Sequence, residues 1–253
     1  MSRETSGEDA SITHLVVIDE DEHCLVVNKP VGILTHPGGP RARDADRPLT
    51  LEDLVRRHLR PDDPASAYVG TVHRLDKLVS GVMIWAKNAR AARRLARHFE
   101  TRQARKEYWA ALDLSVSRTA INLSKEWIWD DTLARGAVPW RVEVVPSDIA
   151  GCQRAVTRGR VEEYAGLPIG LAFARLWPET GRTHQLRAQS AARGMPILGD
   201  VDYGSTTAFP AGIALHARRL TLPHPTRKTF ESWVAPLPDA WRSAGIVLPE
   251  TVI

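Results

Sequence analysis

Residues 73–87 read HRLDKLVSGVMIWAK, from His73 to Lys87, and this stretch decides how the rest of the chain is read. The run from Val82 to Ala86 has the length and apolar content of a buried strand. Asp76 stands just before it, flanked by His73 and Arg74 and followed by Ser80-Gly81. An aspartate on a polar loop would be unremarkable. One held against a packed strand has to be ion-paired, hydrogen-bonded or put to chemical use. The arrangement is that of an active site.

Outward from this strand, residues 14–18 and 23–27 are β-branched runs separated by Asp19-Glu20-Asp21-Glu22, which predicts two strands joined by a tight acidic turn. Residues 1–12 read as a disordered tail, and 37–48 as a Gly/Pro/Arg loop too polar to pack. Thr50 opens a helix with Asp53 in the capping-box position and Leu51, Leu54, Val55 and Leu59 on one face. Asn88 caps a second helix over 89–101. Its inner face is Ala92, Leu95 and Phe99, and its outer face carries Arg90, Arg93, Arg94 and Arg97.

From Lys106 to about Phe173, short strand-like runs alternate with Gly, Pro and Asp turns, which predicts an antiparallel meander. Within it Tyr108 shares a face with Ala110, Leu112 and Leu114. Thr183 caps a third helix running to about Arg193, ended by Gly194 with Pro196 beyond. A strand returns over 215–222. The class is α+β with an antiparallel-rich mixed sheet flanked by helices and loops, in one domain over 13–253.

The chain has 253 residues, with 34 Lys and Arg against 30 Asp and Glu, a formal net charge of +4. Most of the basic residues are Arg, whose planar fork suits phosphates and bases, so a polyanionic partner is permitted though not demanded. Only two cysteines occur, Cys24 and Cys152, outside any paired ligand spacing, and reduced, buried thiols are expected. His73, His184 and His216 lack metal spacing too. The first residues, MSRETSGEDAS, carry no signal-peptide core, and no segment approaches a membrane span, so a cytoplasmic protein is expected. There is no dinucleotide glycine fingerprint and no P-loop; neither cofactor nor metal is expected.

The stretch around Asp76 resembles the catalytic signature of the RluA-type family of RNA pseudouridine synthases. Residues 25–37 (LVVNKPVGILTHP) look like the family's opening strand and Lys-Pro loop, and 179–204 (ETGRTHQLRAQSAARGMPILGDVDYG) like its arginine-bearing helix and following turn. Residues 215–225 and 230–238 fit its closing strands. The likeness covers roughly residues 14–240, in family order, and implies the pseudouridine-synthase catalytic core. Many relatives carry an N-terminal RNA-binding module of the S4 type, for which the stretch before His14 has no room.

By this resemblance Asp76 is the catalytic carboxylate of an isomerase that breaks the N1–C1′ bond of uridine, turns the uracil and rejoins it through C5. Arg187 is its basic partner, with Arg182 as runner-up and phosphate contact. Tyr108 is the active-site tyrosine, for stacking on the uracil or for moving the C5 proton. Arg74 is the wedge that fills the stack when the uridine is extruded, Lys29 a phosphate or rim contact, and His73 a further RNA-binding residue. The implied partner is ribosomal or transfer RNA, with no membrane, no obligate protein partner and a monomeric state.

Val79 and Gln189 depart from the family, which commonly has Thr and His there. Two other readings remain open on residues alone. One is an RNA-binding or ribosome-assembly protein that keeps the fold without catalysis. The other is a glycoside hydrolase, although that chemistry needs two carboxyl groups flanking the bond and no second acid stands out.

Overall fold

The computed structural model describes residues 14–37, 47–116, 126–138, 140–162 and 166–248. The expected tail and most of the 37–48 loop lie outside the described residues. Eleven described strands form one mixed sheet: β1 (Val16–Glu20), β2 (Cys24–Lys29), β3 (Gly70–Thr71), β4 (Ser80–Ala86), β5 (Arg105–Asp113), β6 (Glu126–Arg135), β7 (Val142–Val145), β8 (Gln153–Glu162), β9 (Leu171–Pro178), β10 (Leu215–Pro223) and β11 (Phe230–Val234). Their order is β1-β2-β4-β10-β5-β9-β8-β6-β7, with β3 beside β4 and β11 beside β10. Four α-helices accompany them among the described residues: α1 (Leu51–Leu59), α2 (Ala89–Glu100), α3 (Gln185–Ala191) and α4 (Asp239–Ser243).

The β4–β10 pairing is parallel, the others antiparallel, and it joins the two halves of the sheet through His216↔Ser80 and Ala217↔Gly81. Its chemistry explains Ser80-Gly81. Gly81 has φ +122, and a Cβ there would lie 2.3 Å from the Ala217 carbonyl oxygen, so no side chain fits. Ser80 Oγ lies 2.9 Å from His216 Nδ1, while His216 Nε2 donates to the Ala235 carbonyl at 3.2 Å. The serine therefore donates to a neutral imidazole, whose pKa burial lowers to about 4. Every residue of β4 is buried, and Trp85, Trp109 and Phe173 fill the core around it.

The caps at the first two helices follow their sequence signals. Thr50 and Asp53 form the full capping box, and Asn88 Oδ1 accepts the Ala91 amide hydrogen at 2.9 Å. Three details differ from expectation. α3 begins at Gln185 rather than after a Thr183 cap, because Gln185 Oε1 accepts from Arg182 N (3.1 Å) and Thr180 Oγ1 (2.7 Å), closing the turn from within. The 106–173 region is antiparallel but not a simple meander: β8 pairs with β6 and β9, leaving β7 at the edge. Cys24 is buried, whereas Cys152 is only half-buried.

Candidate active site

A cleft of about 490 Å³ opens where the β4–β10–β5 junction meets the start of α3. Its lining includes Arg74, Asp76, Lys106, Tyr108, Arg182 and Arg187, contributed by segments far apart in the chain. The loop bearing Asp76 is held by main-chain and buried contacts. Thr35 Oγ1 donates to the Leu75 carbonyl (2.8 Å) and accepts from Leu75 N (3.3 Å), and Gly32 N donates to Lys77 O (2.9 Å). Val79 N closes a turn onto the Asp76 carbonyl at 3.1 Å. The Asp76 carboxylate itself stays partly open, its side chain 27% exposed.

Lys29 is not a rim contact. Its side chain is fully buried, and Nζ donates to Pro30 O (2.9 Å), Lys77 O (3.3 Å) and Val79 O (2.7 Å). Three acceptors take all three N–H bonds of an ammonium, so the lysine pins the Asp76 loop from beneath. Burial lowers its pKa to about 7, against the pull of the Asp76 charge. His73 is likewise committed to the fold: Nε2 accepts the Ile84 amide hydrogen at 3.0 Å and the ring stacks on Phe99 with centroids 4.7 Å apart. Burial and the nearby Lys106 push its pKa down to about 3, so it walls the cleft as a neutral ring and offers RNA no charge.

On the opposite wall, Arg187 is nearly inaccessible and its first partner is not Asp76. Nε and Nη2 form a bidentate pair with buried Asp200 at 2.7 and 2.8 Å, and Nη2 also reaches Asp202 at 3.2 Å. Its guanidinium lies 4.7 Å from the centre of the Tyr203 ring. Burial works against the charge, but the hydrogen bonds and charge of Asp200, with Asp76 beyond, hold the pKa above its ordinary value. The remaining nitrogen, Nη1, lies 3.8 Å from Asp76 Oδ2. That is close enough for attraction but too long for a hydrogen bond, so Asp76 is attracted without being tied down.

His184 holds a mirror position, its Nε2 also 3.8 Å from Asp76 Oδ2. It adopts left-handed φ 50, a conformation that costs a non-glycine residue on the order of 1 kcal/mol or more and often marks a functional site. The Tyr203 hydroxyl donates to Val142 O (3.0 Å) and accepts from Val142 N (3.1 Å), so its 3.0 Å contact with His184 Nδ1 is donated by the histidine. Nε2 then carries a lone pair aimed toward the carboxylate. Burial lowers the His184 pKa, with Asp76 working the other way. A neutral acceptor thus faces an anion, leaving a place for a donor such as a substrate hydroxyl. Sequence reasoning took His184 only as a hydrogen-bonding core or rim residue and passed over Asp200 and Tyr203; their signal was the THQLR and GDVDYG context.

Tyr108 lines the cleft from β5, opposite Leu176 of β9 and Ala217 of β10. Burial, then the Asp76 charge, raises its pKa, so the hydroxyl is protonated. Lys106 also faces the cleft, Nζ donating to Thr180 O at 3.0 Å, and burial lowers its pKa to about 8. Arg74 donates to Thr183 Oγ1 (3.1 Å) and Arg182 to Arg154 O (3.1 Å); both are exposed at the rim. The two departures are packing residues. Val79 is buried, and Gln189 ties α3 to the sheet through Thr157, Ala155 and Asp131.

Asp21, Cys24 and His224 offer ligand atoms near enough to share an ion. Their hydrogen bonds argue otherwise. His224 Nδ1 accepts backbone N–H from Thr226 (3.3 Å) and Arg227 (3.1 Å), so Nε2 carries the proton and donates to Asp21 Oδ2 at 2.9 Å. Burial, then the Asp21 charge, raises the Cys24 pKa to about 12. The trio is a hydrogen-bonded corner of the fold rather than a ligand set.

A sheet that presents one loosely held carboxylate in a cleft rimmed by arginines is the framework of an enzyme acting on a polyanion. The family model for RNA pseudouridylate synthase matches residues 23–192, and the chain belongs to that family, among its RluA-type members. Ribosomal large subunit pseudouridine synthase D of Xylella fastidiosa is 36% identical over 243 residues, covering 89% of this chain and 66% of the relative. Dual-specificity RNA pseudouridine synthase RluA of Escherichia coli K12 is 33% identical over 228 residues, covering 88% of this chain and 93% of the relative. The solved structure of human RNA pseudouridylate synthase domain containing 1 has a TM-score of 0.68 at 28% identity, covering 92% of this chain and 87% of that one. That of human domain containing 4 reaches 0.72 at 23%, covering 93% and 95%, a likeness of fold.

Proposed function

We propose that this chain isomerises a uridine in structured ribosomal or transfer RNA to pseudouridine, with Asp76 as the reacting carboxylate. The observation that carries this reading is the placement of Asp76, Tyr108 and Arg187 in one cleft, with Asp76 approached by two groups yet bonded by neither. Asp76 attacks C1′ or assists loss of the C2′ proton while N1–C1′ breaks. The uracil turns against the Tyr108 ring and C5 bonds to C1′ as the Asp76–C1′ bond breaks or, on the second path, as the proton returns to C2′; the C5 hydrogen then leaves as a proton while N1 gains one. His184 Nε2 accepts a ribose hydroxyl, and Arg187 stabilises charge at Asp76. Arg74 enters the vacated stack and Arg182 holds phosphate. The reaction draws on no cofactor, and we place the enzyme in the cytoplasm as a monomer.

The ribosomal option is supported by the name of one relative, assigned to the large ribosomal subunit, and another relative is named for dual specificity. A hydrolase reading lacks its second acid: of the other carboxylates lining the cleft, Glu179 is bonded to Arg158 at 2.6 Å and Glu100 sits exposed at the end of α2. Pseudouridine mapping in total RNA treated with the protein or with Asp76→Asn tests the proposal. New pseudouridine with the first and none with the second is expected. Equal modification by both would remove Asp76 from the chemistry.

A further inference from the structure

Helix α2 carries Arg90, Arg93, Arg94 and Arg97 within twelve residues, with Glu100 as its acid. All four arginines are exposed, and among the described residues none forms an ion pair. Arg94 is pinned through Nη1 to the Pro225 carbonyl at 2.6 Å; Arg90, Arg93 and Arg97 have no described side-chain partner. Several arginines on the strands do have acidic partners: Arg154 pairs with Asp130, Arg158 with Glu179 and Arg175 with Glu107. What sets the helix apart is four exposed arginines together on one side.

The spacing of these residues sets them along one side of α2, over about 10 Å at 1.5 Å per residue. Like charges so placed repel one another, and among the described residues no acid forms an ion pair with them. The stripe leads into the cleft. Phe99, Glu100 and Arg102, at the end of α2 and the turn after it, line the same cavity as Asp76. We infer that the outer face of α2 is a docking track for the RNA backbone flanking the target uridine, taking phosphates by charge rather than by sequence. The inference rests on the proposed function for the identity of the polyanion.

Because backbone contacts are sequence-independent, oligouridylate serves as probe, in a short form confined to the cleft and a long form that reaches along α2. Replacing Arg90, Arg93 and Arg97 together by Ala should weaken the long probe about tenfold and flatten its salt slope by about 2, at about 0.7 per lost single-strand contact. Short-probe binding should be unchanged, and the triple Lys variant should restore the slope. An unaltered slope on the long probe, or equal weakening on both probes, overturns the track. So does loss of binding to phosphatidylglycerol vesicles with long-probe binding intact, which would assign the face to a membrane. Isomerisation of cellular RNA by the parent protein, scored in parallel, tests the enzymatic reading separately.

Discussion

The two walls of the cleft are built by opposite means. The Asp76 loop is fixed by main-chain hydrogen bonds, the Thr35 hydroxyl and the buried Lys29 ammonium, so its one reactive side chain has no structural duty. The facing wall, from Thr180 to Tyr203, is a mesh of charged and polar side chains in which Arg187 is committed to Asp200 before it meets Asp76. The proposed attack on C1′, or removal of the C2′ proton, requires a carboxylate that is not locked in a salt bridge. The division of labour leaves Asp76 near positive charge and free to move.

Substitutions on each wall should therefore fail differently. The largest effect is expected from Asp76→Asn: turnover should drop by about a thousandfold or more, an activation cost above about 4 kcal/mol, with the melting temperature nearly unchanged. A rate within tenfold of the parent would erase the distinction. Asp200→Ala should instead act on stability. It strips buried Arg187 of its bidentate partner and leaves it only the 3.2 Å contact to Asp202, a loss of about 3 kcal/mol readable by urea denaturation. A change below 1 kcal/mol would show that the mesh does not hold its wall.

Tyr108→Phe should slow single turnover about a hundredfold while RNA binding persists, the usual scale for a group that moves a proton. The pKa, raised by burial and then by the Asp76 charge, keeps the hydroxyl protonated before reaction. Near-parent kinetics would reduce Tyr108 to a stacking surface. His184→Ala should cost about tenfold, and more on ribose substrates than on 2′-deoxy ones, because the Nε2 lone pair needs a hydroxyl donor. An equal cost on both would leave His184 a structural corner. The smallest effect is a pH dependence: Lys106 is charged below about 8 and neutral above, so RNA affinity should fall a few-fold as pH rises through that value. Lys106→Met should flatten the titration, and an unchanged curve would place the lysine outside the RNA path.

Asp76, Tyr108 and Arg187, singled out by family resemblance, come together in one cleft. Lys29 and His73 show where that reasoning stops. Both stand in matched motifs and both were expected to meet RNA, yet each is used up by backbone groups of the Asp76 loop or of β4. Whether a lysine reaches solvent depends on what lies across from it, which here is a loop 48–50 residues away.

Local chemistry and periodicity determined the caps at Thr50 and Asn88, the buried strand after Ser80-Gly81 and the α+β class, and family resemblance singled out Asp76. These depend on neighbours within a few residues, where spacing carries the physics. Strand order and the charge relations of the cleft were decided only in three dimensions. The β4–β10 contact that makes Gly81 obligatory, the claim of Asp200 on Arg187, and the proton placement that turns His184 Nε2 toward Asp76 all join groups distant in sequence. Packing and desolvation act through space, and no periodicity along the chain encodes which distant partner will arrive first.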